Sequence, residues 1–334
     1  MIKQTTKKIE RGDSVDWKKC IKRTVIFTGT TMGVMYAVNK AVSYISTIDN
    51  LLDNKNTEIY NWEFGDIYYS QKGKGTPLLL IHDLNVTSCA YEWHKVVNEL
   101  SKSYTVYTID LLGCGRSEKP NLAYTNYLYV RLINDFIKDV IGEQTNIIAT
   151  GDAASIALMS CVNDNTIIKD IILVNPSEIT SIADSPGKYM DWLRGFLCLP
   201  IIGTFIYNVM VNRKTITEDF KQKYFYDCNK ISEDNIRTYF EAAHKHNTRS
   251  KYLYASIFSK YTNANILHCL KNMTNNISII VGNANPENTL SANQYQNQLP
   301  AIEIIGIDNT KYLPQMEVPK EFLETVNILL DEEN

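Results

Sequence analysis

Residues 76–120 read TPLLLIHDLNVTSCAYEWHKVVNELSKSYTVYTIDLLGCGRSEKP. Leu78–Ile81 is a short continuous apolar run, the pattern of a strand buried on both faces. Tyr104–Ile109 (YTVYTI) is strand-like, and Tyr91–Leu100 between the two has helical spacing. After the second strand comes Asp110-Leu111-Leu112-Gly113-Cys114-Gly115-Arg116-Ser117, where Gly113 and Gly115 supply a tight backbone turn. Strands alternating with helices predict a parallel sheet covered on both sides.

The same rhythm extends in both directions. Upstream, Trp62–Phe64 and Ile67–Ser70, separated by Gly65-Asp66, read as a β-hairpin. Downstream, Leu128–Ile141 places Leu132, Ile133, Phe136, Ile137 and Val140 on one helical face. Ile147–Ala149, Ile171–Val174, Ile277–Val281 and Ile302–Ile305 read as further strands. Residues 178–270 break the pattern with amphipathic helices, Met190–Leu199 and Ile236–Ala243 among them, and many aromatics. They read as a helical insertion on the sheet.

The N-terminus is different in kind. Residues 1–23 carry Lys3, Lys7, Lys8, Arg11, Lys18, Lys19, Lys22 and Arg23 against Glu10, Asp13 and Asp16, a local excess of positive charge in a chain of net charge −3. From Thr24 to Asn39 there is no charged residue, and Lys40 precedes AVSYIS. A spanning helix needs ~20 apolar residues, ~17 at least, so this run reaches that length only if Lys40 snorkels. The reading is a single membrane anchor over residues 24–46. Its basic flank keeps the N-terminus cytoplasmic. A soluble or interfacial helix in a cytoplasmic protein and a cleaved signal peptide are the competing readings. Residues 47–58 are polar and Asn-rich, the composition of a linker. The expected organisation is a basic segment (1–23), an anchor helix (24–46), a linker (47–58), the first part of an α/β core (59–177), a helical cap (178–270) and the last part of the core (271–334).

Bulk properties exclude several classes. The small net charge implies no nucleic-acid partner. Seven cysteines are scattered with no CxxC pair, which points to free thiols and away from a zinc site. No internal repeat or low-complexity tract is present.

The stretch 76–120 resembles the α/β-hydrolase superfamily, in the branch with a helical cap. His82-Asp83 stands where that family has His-Gly, and Asp110–Ser117 matches its D-x-x-G-x-G-x-S turn. The resemblance covers residues 60–330 and implies a mostly parallel, doubly wound sheet with a cap insertion. It implies oxyanion and pocket positions at His82, Asp83, Leu84 and Ala154. The family's chemistry rests on a G-x-S-x-G nucleophile elbow, then an acid, then a histidine. Here the elbow stretch is Thr150-Gly151-Asp152-Ala153-Ala154-Ser155. With Gly151 as first glycine, the nucleophile position holds Ala153 and Ser155 takes the second glycine's place. Shifting by one puts Asp152 there, as in dehalogenases and epoxide hydrolases. Otherwise Asp152 is a helix N-cap.

The family's acid motif aligns on Gly282-Asn283-Ala284-Asn285-Pro286, with Asn285 in the acid position and Glu178 as an alternative acid after the preceding strand. An amide cannot stabilise an imidazolium as a carboxylate does. The family's G-H-x-P-x-x-E-x-P motif aligns on Lys311–Pro319 through Pro314, Glu317 and Pro319, which puts Tyr312 at the histidine. A phenol titrating near pH ~10 is a poor general base. Three readings follow. One is a non-catalytic member binding a small apolar or acyl ligand under the cap. The second is an unconventional hydrolase acting on ester or acyl substrates. The third is a membrane-tethered interaction protein that keeps the fold for its surface. None of the three calls for an organic cofactor or a metal.

Overall fold

The computed structural model describes residues 17–53 and 57–331. Most of the basic segment 1–23 and part of the linker therefore lie outside the described residues.

Eight strands form one sheet: β1 (Glu58–Trp62), β2 (Gly65–Lys72), β3 (Thr76–Ile81), β4 (Tyr104–Ile109), β5 (Thr145–Thr150), β6 (Ile168–Val174), β7 (Ile277–Gly282) and β8 (Glu303–Ile307). Their order is β1-β2-β4-β3-β5-β6-β7-β8. β1 and β2 are antiparallel, β2 runs antiparallel to β4, and β4 through β8 are parallel. The fold is the expected α/β one. The hairpin turn falls at Glu63-Phe64, two residues before the expected Gly65-Asp66, because Trp62 pairs with Gly65 across the ladder.

The period of two in β3 divides the core. Leu79 and Ile81 face the layer made by the helices Asn126–Phe136 and Ala153–Asn163. Leu78 and Leu80 face Trp93, Leu100 and, from the C-terminal helix Pro319–Asp331, Phe322, Val326 and Leu330. All four β3 side chains are fully buried, as the uninterrupted apolar run requires.

Two expected helices differ. Tyr91–Leu100 is not continuous but a 3₁₀ turn (Ala90–Trp93) followed by one α turn (Val97–Leu100). Glu92, Trp93 and Val96 are all buried, and the Glu92 carboxyl accepts the Asp83 N–H (3.2 Å). The helix over Leu128–Ile141 starts earlier, capped by the Thr125 hydroxyl, and its last turn widens to a π turn closed by Gly142 at φ +76°.

Between β6 and β7 the chain runs through helices, including Met190–Leu197, Ile202–Met210 and Glu233–Thr248. The N-terminal segment forms one 30-residue helix, Trp17–Ser46, longer than the expected anchor at its start. Its C-terminal half packs on these helices. The Asn39 amide donates to the Ile201 carbonyl (3.0 Å) and accepts from Asn208 (2.9 Å). Residues 49–53, expected to be a free linker, are pinned as well. The buried Glu241 carboxylate accepts the N–H groups of Leu51 (2.7 Å) and Leu52 (3.4 Å), and Lys245 pairs with Asp53 (3.1 Å). Among the described residues no single helix is long and apolar enough to cross a membrane.

Candidate active site

The carboxyl ends of β3, β5, β6, β7 and β8 lie along one edge of the sheet, where open α/β sheets place their sites. At that edge β5 ends at Thr150 and the helix Ala153–Asn163 begins. The turn between them is made by Gly151 at φ +58°, with its N–H donated to the Val174 carbonyl (3.0 Å). A left-handed residue here is what a sharp strand-to-helix turn requires, and glycine adopts it without Cβ strain.

This geometry displaces both expected registers. Ala153 does not occupy the elbow: it is the first residue of the helix and is fully buried. Asp152, at φ −66°, is one step past the turn. The elbow residue is Gly151, so the position that projects a nucleophile in G-x-S-x-G carries no side chain. Asp152 stands at the N-cap position, yet its carboxylate makes no capping bond and accepts the Ser177 hydroxyl instead. Ser155 donates to the Asp152 carbonyl (2.9 Å) and accepts from Asn126 (3.0 Å).

The space beside Gly151 is filled. A Cβ built there would collide with the Tyr312 hydroxyl and with Asp83 Oδ1. Asp83 Oδ1 accepts the Asp152 N–H at 2.9 Å. In a hydrolase elbow that N–H, on the residue after the nucleophile, receives the developing oxyanion. Here a carboxyl from the β3 loop already occupies it. The Asp83 N–H is engaged too, donating to Glu92 Oε2 (3.2 Å).

Burial dominates the protonation of this cluster. It pushes the Asp83 carboxyl well above the usual carboxylate range, and the nearby Asp152 and Glu92 add to the rise. The Asp152 N–H and the Tyr312 hydroxyl, both hydrogen-bonded to Asp83, pull the other way. Burial also raises Asp152, opposed by Ser177. Glu92 is pushed up to about 7 by burial, against hydrogen bonds from Ser88, the Asp83 N–H and Tyr239. Tyr312 is driven far above its ordinary value, first by burial and then by Asp83 and Asp152, which takes it further from service as a base.

The remaining expected residues serve structure. His82 is fully buried; its Nδ1 donates to the Asp83 carbonyl (2.7 Å) and its Nε2 accepts the Leu111 N–H (3.0 Å). Both ring nitrogens are thus committed, and burial lowers its pKa to about 4. Leu84 belongs to the core, and the Ala154 N–H is bonded to the Gly151 carbonyl (3.1 Å). Asn285 caps the helix Pro286–Gln298, accepting from the Glu287 N–H (3.2 Å). Glu178 is exposed and accepts from Gln294 (2.9 Å), with its pKa lowered by bonds from Thr180 and Gln294. The other histidines are engaged elsewhere. His94 stacks on Tyr91, His244 bonds the Phe240 carbonyl (2.8 Å), and His268 lies against Asn272. The charged groups acting on His246 are Lys119, Lys245 and Arg249.

The cap is fastened over the elbow. Tyr224 stacks on Tyr312 with ring centroids 5.8 Å apart, and its carbonyl accepts the N–H groups of Tyr312 (3.1 Å) and Leu313 (3.3 Å). The Glu317 carboxylate accepts three more, from Asp227 (2.7 Å), Tyr226 (2.8 Å) and Lys311 (3.3 Å). Glu317 in the sequence motif is therefore a clasp between cap and core. Asn175, left-handed at φ +45°, ties the same loop from below by donating to the Lys311 and Tyr312 carbonyls (3.0 and 2.9 Å). Cavities of about 420, 350 and 170 Å³ among the described residues lie away from the elbow. They sit between the docked linker and β2, at the far end of β7 and β8, and beside the N-terminal helix.

Sequence reasoning missed Glu92, Asn175, Ser177 and Tyr224. Asn175-Pro176-Ser177 directly after a strand was a usable signal, since polar residues there line the sheet edge. Nothing local to Glu92 or Tyr224 marked them.

The fold and site define an α/β-hydrolase framework, and the chain belongs to the alpha/beta hydrolase family, whose family model matches residues 78–325. A 2-hydroxy-6-oxo-6-(2'-aminophenyl)hexa-2,4-dienoic acid hydrolase of Metapseudomonas resinovorans is 37% identical over 71 residues, 21% of this chain. The chain spans only 24% of that relative's length. A serine hydrolase involved in carbazole degradation superposes with a TM-score of 0.68 at 17% identity, covering 83% of this chain and 99% of its own. A bacterial membrane phospholipase A superposes with a TM-score of 0.64 at 16% identity, covering 94% of this chain and 98% of its own. An overlap of that extent reaches into the N-terminal helix.

Proposed function

We propose that this member of the family performs no nucleophilic hydrolysis and keeps the fold as a binding scaffold. The observation that carries the reading is the state of the elbow. Gly151 offers no attacking atom, and the space beside it holds the Tyr312 hydroxyl and the Asp83 carboxyl. The helix N–H that would hold an oxyanion is bonded to Asp83. Losing the imidazole removes the proton carrier on which both serine and aspartate versions depend. A small apolar or acyl ligand under the cap would have to part Tyr224 from Tyr312, so the reading favours the outer surface as the binding element.

The second reading is hydrolysis of ester or acyl substrates, supported by the relatives' chemistry and by the Asp152–Ser177 pair. Asp152 would be its nucleophile. The discriminating experiment is steady-state turnover of the full chain against acyl esters, epoxides and 2-hydroxy-6-oxo-dienoic acids. A reconstructed site, Asp83→Gly, Gly151→Ser, Asn285→Asp and Tyr312→His together, is the matched control. The proposal expects no saturable turnover in the native chain. Saturable turnover abolished by Asp152→Asn overturns it.

A further inference from the structure

The N-terminal helix carries a surface that nothing in the described structure covers. Residues 21–30 are exposed on every side of the helix, with Phe27 at 74% and Val25 at 64%. Burial against the cap is reached only further along, at Asn39 and Ser46. No charge interrupts Thr24–Asn39. Val25, Ile26 and Phe27 stand together on these uncharged turns as exposed large apolar side chains that no described residue covers.

Two further observations say what surrounds it. Thr28, Thr30 and Thr31 donate their hydroxyls to the carbonyls of Thr24, Ile26 and Phe27 at 2.8, 2.9 and 2.8 Å. Dehydrating these turns therefore strands none of those three donors. At the outer end stand exposed Lys18, Lys22 and Arg23 beside an exposed Trp17, a basic and aromatic collar of the kind that seats at lipid headgroups.

We propose that Trp17–Val38 is a lipid-binding element that enters the surface of an anionic bilayer. Its bare turns lie among acyl chains, and Lys18, Lys22 and Arg23 meet the phosphates. Charge complementarity favours this occupant over a second copy, whose apposed collar would repel. The uncharged turns rise about 24 Å, short of the ~30 Å hydrocarbon thickness, so the helix enters obliquely rather than crossing. Because Asn39 and Lys40 bond Ile201, Asn208 and Asn247, the cap is held against the membrane. The inference is independent of the chemistry at Gly151.

The test is flotation of the purified full chain with phosphatidylcholine vesicles, with and without phosphatidylglycerol. Two variants change only exposed turns: Val25→Asp with Phe27→Asp, and Lys18→Gln with Lys22→Gln and Arg23→Gln. The proposal expects flotation with anionic vesicles and its loss in the aspartate variant. It expects about a hundredfold weaker partitioning in the glutamine variant, since each basic group near an anionic surface contributes about 1 kcal/mol. Absence of flotation, unchanged flotation of the aspartate variant, or equal affinity for neutral vesicles overturns it. So does a lipid-free dimer in light scattering that the aspartate variant dissolves, which would make a second copy the occupant.

Discussion

Replacing Gly151 by alanine tests the filled elbow in the sharpest way. At φ +58° an L-residue costs about 1–2 kcal/mol relative to glycine. The new methyl must also displace the Tyr312 hydroxyl and Asp83 Oδ1, and forcing an atom into packed space costs typically about 1–3 kcal/mol. The combined loss is about 2–5 kcal/mol. Gly142→Ala separates the two contributions: Gly142 sits at φ +76°, but a Cβ there meets nothing within 4 Å. It should therefore lose only the backbone part. Urea unfolding followed by the fluorescence of buried Trp62 and Trp93 gives both values. In a Tyr312→Phe background, which removes the colliding hydroxyl, the cost of Gly151→Ala should shrink, a coupling readable from a double-mutant cycle. Equal destabilisation by Gly151→Ala and Gly142→Ala, with no coupling to Tyr312, would refute the filled elbow.

Two other outcomes follow from the site's geometry. Glu317→Leu should destabilise the chain by about 1–3 kcal/mol, because it leaves the Tyr226, Asp227 and Lys311 N–H groups without their acceptor. Hydrogen exchange should quicken at Tyr226 and Asp227, and unchanged protection there would count against the clasp. Glu92 titrates near 7 in the fold against an ordinary 4.5, so it takes up a proton on folding. Its contribution is fully present below about pH 4.5 and is lost as pH rises through about 7. The stability difference between wild type and Glu92→Gln should therefore shift against the wild type across that window. A shift in the opposite direction would contradict the assigned burial.

The parallel sheet was legible because β3 and β4 carry uninterrupted β-type runs and Gly113 and Gly115 punctuate the turn after them. Tyr312 was placed by Pro314, Glu317 and Pro319, whose spacing admits one register. The elbow was misplaced because a glycine beside a strand end can either precede the turn or be the turn. Only φ separates the two, and Gly151 adopts the left-handed conformation itself. Asp83 looked like a substituted glycine. Its engagement of the Asp152 N–H joins residues far apart in the chain, which local pattern does not encode. The same holds for the linker: its polar composition suggested a free segment, but Glu241 collects its N–H groups.

The central claim is that no side chain at this elbow can attack an electrophile. Intact-protein mass spectrometry after exposure to a fluorophosphonate, alongside acyl-ester and epoxide turnover in ¹⁸O-labelled water, addresses it directly. The account predicts an unmodified mass and no label at Asp152. A stoichiometric adduct on Ser155 or Ser177, or ¹⁸O incorporated at Asp152, would contradict it.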